Sequence, residues 1–431
     1  MKLQHAAIAA VFSALLSPSC RKDEDLRPPV AEILLPVPGT TITIPDTILV
    51  RVRVSDDHQL TGLAIELLDA EGAVVASAGT ISLDGSSGTY DRSLVLTDER
   101  LPTGTYTIAA RATDGTNDGR GFRQVNILEA PLRLIAVIVA PPFTLQQATI
   151  HQLDPGGTST AFTTVQDLNG IAVNSRTGHL FTAGARYAPF QAWSVVPGST
   201  VWSIPPASTD QDDQFTAVTV DPVDGRVYFA SRDGRIRGFT GQGSAQFNAL
   251  CLVDHRCQAI VKMGDEVVTW QAAIVGGAAR VVTYTPAGTI LDQLPLQEEH
   301  VAWFQRSTDQ LLHFANVDGS GLIEELNIQL GGSPDLRSFP GEPIRHVVRL
   351  DAITYIVALQ DRLMRFDHAS QVATELRSGF PTDALAYDEA NGALYAAQGS
   401  ELLTVDPSTG ATVGSMGTSS PIGHILPFFN R

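Results

Sequence analysis

Four side chains suited to metal binding or proton transfer recur at one place in a repeated segment: His300, His346, Asp383 and His424. Each lies two residues before the middle of a short apolar trio, and the earlier copies carry Asn169, Thr216 and Gln258 there. If the three imidazoles and the carboxylate converge, they suit Zn²⁺ or another borderline metal. If they stay spread round a rim, the seven polar side chains form a binding mouth or satisfy loop backbone groups. Cys251 and Cys257, in CLVDHRC, are spaced to close a small-loop disulfide in an oxidising compartment, contributing at the low end of roughly 2–4 kcal/mol. His255 adds only a third metal ligand to that pair. Trp193, Trp202, Trp270 and Trp303 offer either faces for stacking sugars or packing between sheets. No GxSxG, HExxH, phosphate-binding glycine loop or CxxCH occurs.

The elements that must carry these residues are hairpins of one design. Residues 216–230 read TAVTVDPVDGRVYFA, an apolar alternation, an Asp-Pro and Asp-Gly turn, and an aromatic-rich return. The design recurs at 169–183 and 383–397, more weakly at 258–270, 300–314 and 346–357, and truncated at 424–428. Hairpins this short cannot bury their own faces, so the copies must stack. The anchors Ile171, Val218, Ile260, Ala302, Val348, Leu385 and Leu426 are separated by 47, 42, 42, 46, 37 and 41 residues. That period suits four-stranded blades and predicts seven of them, with six or eight as alternatives. Three strands near 132–165 lack an inner partner, and a lone strand at 423–428 lacks the other three. Pairing the two closes the ring without an open edge. Residues 129–431 thus resemble a seven-bladed β-propeller of the quinoprotein-like, NHL or YVTN kinds. A lactonase-like enzyme of that architecture implies Glu, Asn and Asp round a channel metal, and the polar column here has no Glu.

Residues 30–128 carry seven strand signals between turn residues and predict an antiparallel β-sandwich. The segment GTYTIAARATD at 104–114, with VSDD at 54–57, resembles bacterial immunoglobulin-like domains. Asp56, Asp57, Asp114 and Asp118 fall at expected strand ends, where clustered carboxylates would suit Ca²⁺; alternatively they are the aspartates that turns favour. The fold class expected for the whole chain is all-β, an immunoglobulin-like sandwich followed by the propeller.

With 46 acidic and 29 basic residues the net charge is −17, which disfavours nucleic acid as a partner. Residues 1–19 have one lysine, an apolar run and small residues, the layout of a secretory signal peptide. Leu16-Ser17-Pro18-Ser19-Cys20 resembles a bacterial lipobox, which implies lipid on Cys20 and a tether over 20–29. Lys22, Asp23 and Glu24 follow, similar to the export signal of surface lipoproteins of the Bacteroidetes type. That resemblance implies a lipid anchor in the outer membrane, facing outward. The resulting expectation is a non-catalytic surface protein whose propeller binds a glycan or an envelope protein, the sandwich acting as spacer. The competing expectations are a metal-dependent hydrolase, lyase or lactonase at the channel mouth, and a structural part of an outer-membrane complex.

Overall fold

The computed structural model describes residues 26–206, 214–332 and 334–431. The segment 1–19, Cys20, Lys22, Asp23 and Glu24 lie outside them. Among the described residues every regular element is a strand, and no helix is long and apolar enough to cross a membrane. The chain divides into two compact units, Met1–Ala130 and Pro131–Arg431.

Among its described residues, the first unit has eight strands: β1 (Val30–Leu35), β2 (Thr41–Thr43), β3 (Asp46–Ser55), β4 (Gly62–Leu68), β5 (Val74–Ser82), β6 (Ser87–Leu96), β7 (Gly104–Thr113) and β8 (Asp118–Leu128). Three of them form a sheet in the order β1-β3-β6, and five form a second in the order β2-β8-β7-β4-β5. The period-two pattern of β3 turns Ile48, Val50, Val52 and Val54 inward, and both sheets contribute to one apolar core. β1 is the strand the sequence reading lacks. It follows a proline pair and runs beside β8, where a Cβ on Gly121 would come within 2.3 Å of the Ala31 carbonyl oxygen. Only a residue without a side chain admits that approach.

Among its described residues, the second unit contains seven four-stranded antiparallel sheets. Their innermost strands are His424–Phe429, Leu168–Asn174, Phe215–Val220, His255–Met263, Glu299–Gln305, His346–Arg349 and Ala384–Asp388, for blades 1 to 7 in turn. Each innermost strand touches its neighbours on both sides, and the first touches the last, so the sheets form a closed ring. This is a β-propeller. All seven anchors named above lie on innermost strands.

The second strands of blades 2, 3 and 6 are buried throughout, because a neighbouring blade covers each face. Their sequences accordingly read as near-continuous apolar runs. Outer strands alternate or lie exposed, as Thr200–Ile204 does in blade 2.

Ring closure depends on blade 1. There His424–Phe429 pairs antiparallel with Leu134–Ala140, from His424 opposite Ala140 to Phe429 opposite Leu134. Gly423 enters this pairing against Pro142, where a Cβ would fall 2.4 Å from the Pro142 Cα. Phe428 and Leu426 pack with Ile138, Leu168 and Leu180, carrying the blade 1 core into blade 2.

Candidate functional site

Part of the polar column laces neighbouring blades together. In blades 2, 3 and 4 the first two strands pair with a bulge, and Asn169, Thr216 and Gln258 are the extra residues. A bulge re-aims its side chain out of the sheet. Asn169 Nδ2 donates to the Phe215 carbonyl oxygen (2.7 Å), and Thr216 Oγ1 donates to that of Cys257 (2.6 Å), each on the next blade. Gln258 is exposed. Asp383 is exposed too, and its Oδ2 accepts from the Gly399 N–H at 2.7 Å. A second lacing links the hairpin turns that follow the innermost strands. Asn174 Nδ2 donates to the Gly225 carbonyl (2.6 Å), Arg176 to that of Val223, and Arg306 to that of Ala352. Lys262 places its Nζ between Asp221 (3.5 Å) and Asp224 (3.2 Å) of the preceding blade. Burial and the adjacent carboxylate raise the Asp221 pKa.

His300 leaves the column. In blade 5 the bulge falls one residue later, between His300 and Ala302, so Val301 takes the extra position. The His300 ring turns into the interface with blade 4, beside Trp270 and Trp303, and stacks on His313. Its Nδ1 lies 3.3 Å from His313 Nε2, and His313 Nδ1 lies 2.7 Å from Glu324 Oε1. His313 and Glu324 are fully buried and face each other across paired strands. Burial, and then His313, push the His300 pKa well below its ordinary value. This line of three groups can orient one another's protons, but Trp270 and Trp303 pack against it.

The remaining two histidines are electrostatic neighbours. His346 hydrogen-bonds the Asp383 backbone, and its pKa is lowered by burial and by Arg345, against an opposing pull from Asp383. Burial and the neighbouring His346 push His424 down to about 4, so at neutral pH its ring is uncharged. That ring stacks on Phe143, with centroids 4.2 Å apart and planes 27° from parallel. Phe143 is half-exposed and lines a cleft of about 650 Å³ between 141–151 and 419–421.

Several expectations are corrected here. Among the described residues no three His, Cys, Asp or Glu side chains are placed to hold a metal ion. His300, His346, Asp383 and His424 do not converge on a Zn²⁺ site, because the bulge shift sends His300 into the blade 4–5 interface. The Ca²⁺ reading falls on the same count. Asp114 caps its own turn, accepting from the Thr116 and Asn117 N–H groups at 2.5 and 2.7 Å. Asp57 pairs with Arg27 at 3.2 Å, Asp56 accepts from the Asp57 N–H at 2.9 Å, and Asp118 faces Arg111 at 3.7 Å.

Cys251 and Cys257 are free thiols rather than a disulfide. They meet through a hydrogen bond that lowers the Cys251 pKa, while the buried Cys257 Sγ donates to the Ala259 carbonyl at 3.4 Å. The tryptophans take the packing role. Trp193 Nε1 donates to Thr182 (3.0 Å) and Trp202 Nε1 to the Gly241 carbonyl (2.8 Å), while Trp270 is buried between blades 4 and 5 with Trp303 against it.

Two features escape sequence reasoning. The Phe143 cleft is assembled from a loop and the strand connector near residue 420, and no local pattern joins them. Asp167, at φ 55°, is fully buried and accepts from the N–H groups of Arg186 (2.6 Å), Tyr187 (2.7 Å) and Ala188 (3.0 Å). Its place just ahead of an innermost strand is the signal that would single it out.

No family model and no curated protein matches the chain. Solved structures do. A protein from Lactobacillus plantarum is 13% identical, with a TM-score of 0.51 over 69% of this chain and 99% of its own. The β-propeller domain of Cps50 (Swd1) from Myceliophteria thermophila is 10% identical, covering 60% of this chain and 89% of its own, with a TM-score of 0.47. BamB from Moraxella catarrhalis is 14% identical, covering 58% and 76%, with a TM-score of 0.39. At such identities the likeness concerns fold alone, and the ring of seven sheets carries that reading independently.

Proposed function

We propose that this chain is a non-catalytic, surface-anchored lipoprotein whose propeller recognises a macromolecule, a glycan or an envelope protein. In this reading Cys20 carries lipid after removal of 1–19, and Lys22, Asp23 and Glu24 direct it to the outward face of the outer membrane. The first unit is an immunoglobulin-like spacer. The observation that supports a binding rather than a catalytic role is the fate of the polar column. Asn169 and Thr216 spend their hydrogen bonds on the next blade's backbone, and the half-buried His300 packs against Trp270 and Trp303. A general acid, base or nucleophile needs both access and a partner in reach.

Fractionation of the native host tests the anchor. The wild-type chain should partition with detergent and be shaved from intact cells by protease, whereas Cys20→Ala should be released. Protection of the wild-type chain in intact cells would sink the surface reading.

A further inference from the structure

The cleft beside the closing strand has a lining unlike the rest of the molecule. None of its twelve residues is Asp, Glu, Lys or Arg, in a chain of net charge −17. What it offers instead is one exposed aromatic ring, Phe143, and a set of hydrogen-bonding groups: Gln146, Gln147, Thr149, His151 and Ser419. Its volume, about 650 Å³, falls within the range of small-molecule sites.

The parts are held in place before any ligand arrives. Phe143 stacks on His424, whose own strand is locked into blade 1. The Thr144 N–H donates to the Leu168 carbonyl (3.0 Å), and the Asp167 N–H to that of Gln146 (3.0 Å), fixing the loop that carries the aromatic ring. His151 Nε2 lies 3.3 Å from Ser419 Oγ, bridging the two sides of the cleft. A preformed site avoids the entropic cost of ordering its loops on binding.

We propose that this cleft is a carbohydrate subsite that takes a neutral oligosaccharide, with the Phe143 ring stacking against a sugar face. The C–H groups of a pyranose carry slight positive charge and suit the negative face of an aromatic ring. The amides of Gln146 and Gln147 present donors and acceptors together, as vicinal hydroxyls require. An anionic ligand would instead call for Arg or Lys, which the lining lacks. The assignment rests on the binding role proposed above and names its ligand class.

The test titrates the full chain, by calorimetry, with neutral hexasaccharides of β-1,4-glucan, β-1,3-glucan, α-1,4-glucan, β-1,4-xylan and β-1,4-mannan. Oligogalacturonate and a sulfated glycosaminoglycan fragment serve as anionic controls. At least one neutral sugar should bind with a Kd between about 10 µM and 1 mM. Phe143→Ala should weaken it at least tenfold and Gln147→Ala severalfold, with both variants melting near the wild-type temperature. Thr149→Trp, which fills the cleft, gives a second loss-of-binding variant. Binding of none of the neutral sugars, tighter binding of the anionic ones, or neutral binding indifferent to Phe143→Ala and Thr149→Trp would each overturn the proposal. Chromatography of the incubated sugar keeps the two readings apart. Cleavage would overturn the non-catalytic role and leave the cleft standing, whereas intact sugar bound elsewhere would do the reverse.

Discussion

His424 makes the stability of the propeller depend on pH. Its folded pKa of about 4 is below the ordinary histidine value of 6.5, so the unfolded chain takes up its proton first as pH falls. The neutral ring's contribution is complete above about pH 6.5 and is lost as pH drops towards 4, a change of about 3 kcal/mol. Guanidinium unfolding at pH 7 and pH 4.5 should therefore show a large loss for the wild-type chain and a smaller one for His424→Gln. Equal losses would contradict the burial described here. Asp167 gives a second test at this scale. Replacing it with Ala strands three backbone N–H groups and should cost about 2–3 kcal/mol, read by urea unfolding. Asp167→Asn, which retains acceptor capacity and tolerates positive φ, should lose less.

The hairpins themselves are legible in the sequence because their second strands are covered on both faces. TYIVA in blade 6 and VYFAS in blade 3 are near-continuous apolar runs, bounded by turns rich in Asp and Gly at a steady period. The register inside each hairpin is not legible. One extra residue placed at Val301 rather than His300 decides whether an imidazole lines the mouth or the core, and both placements fit the same alternation. The edge strand β1 is hidden for a different reason, since the glycine that admits it, Gly121, lies far away in sequence. At the element scale Lys262→Ala leaves Asp221 and Asp224 together without their cation. The expected cost is about 1–3 kcal/mol at pH 7 and less at a second, acid pH, because burial and Asp224 raise the Asp221 pKa and its protonation removes one of the two facing charges. A penalty independent of pH, in denaturant curves at the two values, would contradict that pairing.

For the whole molecule, the seven-fold ring follows from the spacing of seven anchors, whereas the Phe143 cleft emerges only when two ends of the propeller meet. The cleft walls come from 141–151 and 419–421, segments that a linear reading has no reason to join. Gly423→Ala tests this junction, because a Cβ there would press on Pro142. It should lower the melting temperature and weaken any ligand held beside Phe143, while leaving the first unit's own transition unchanged in calorimetry. A single transition shifted as a whole would show that the two units do not melt separately.

The pairing of Leu134–Ala140 with His424–Phe429 also constrains when the protein can become itself. Six other sheets are built from neighbours in the chain and can assemble as they are synthesised. The first sheet must wait, one flank bare, until a segment made almost a whole propeller later arrives to complete it. Contacts between such distant segments form slowly, and an unpaired strand flank is open to other chains meanwhile. A newly made copy therefore spends its most vulnerable interval as an incomplete annulus, and a chaperone guarding that flank would matter most at this stage.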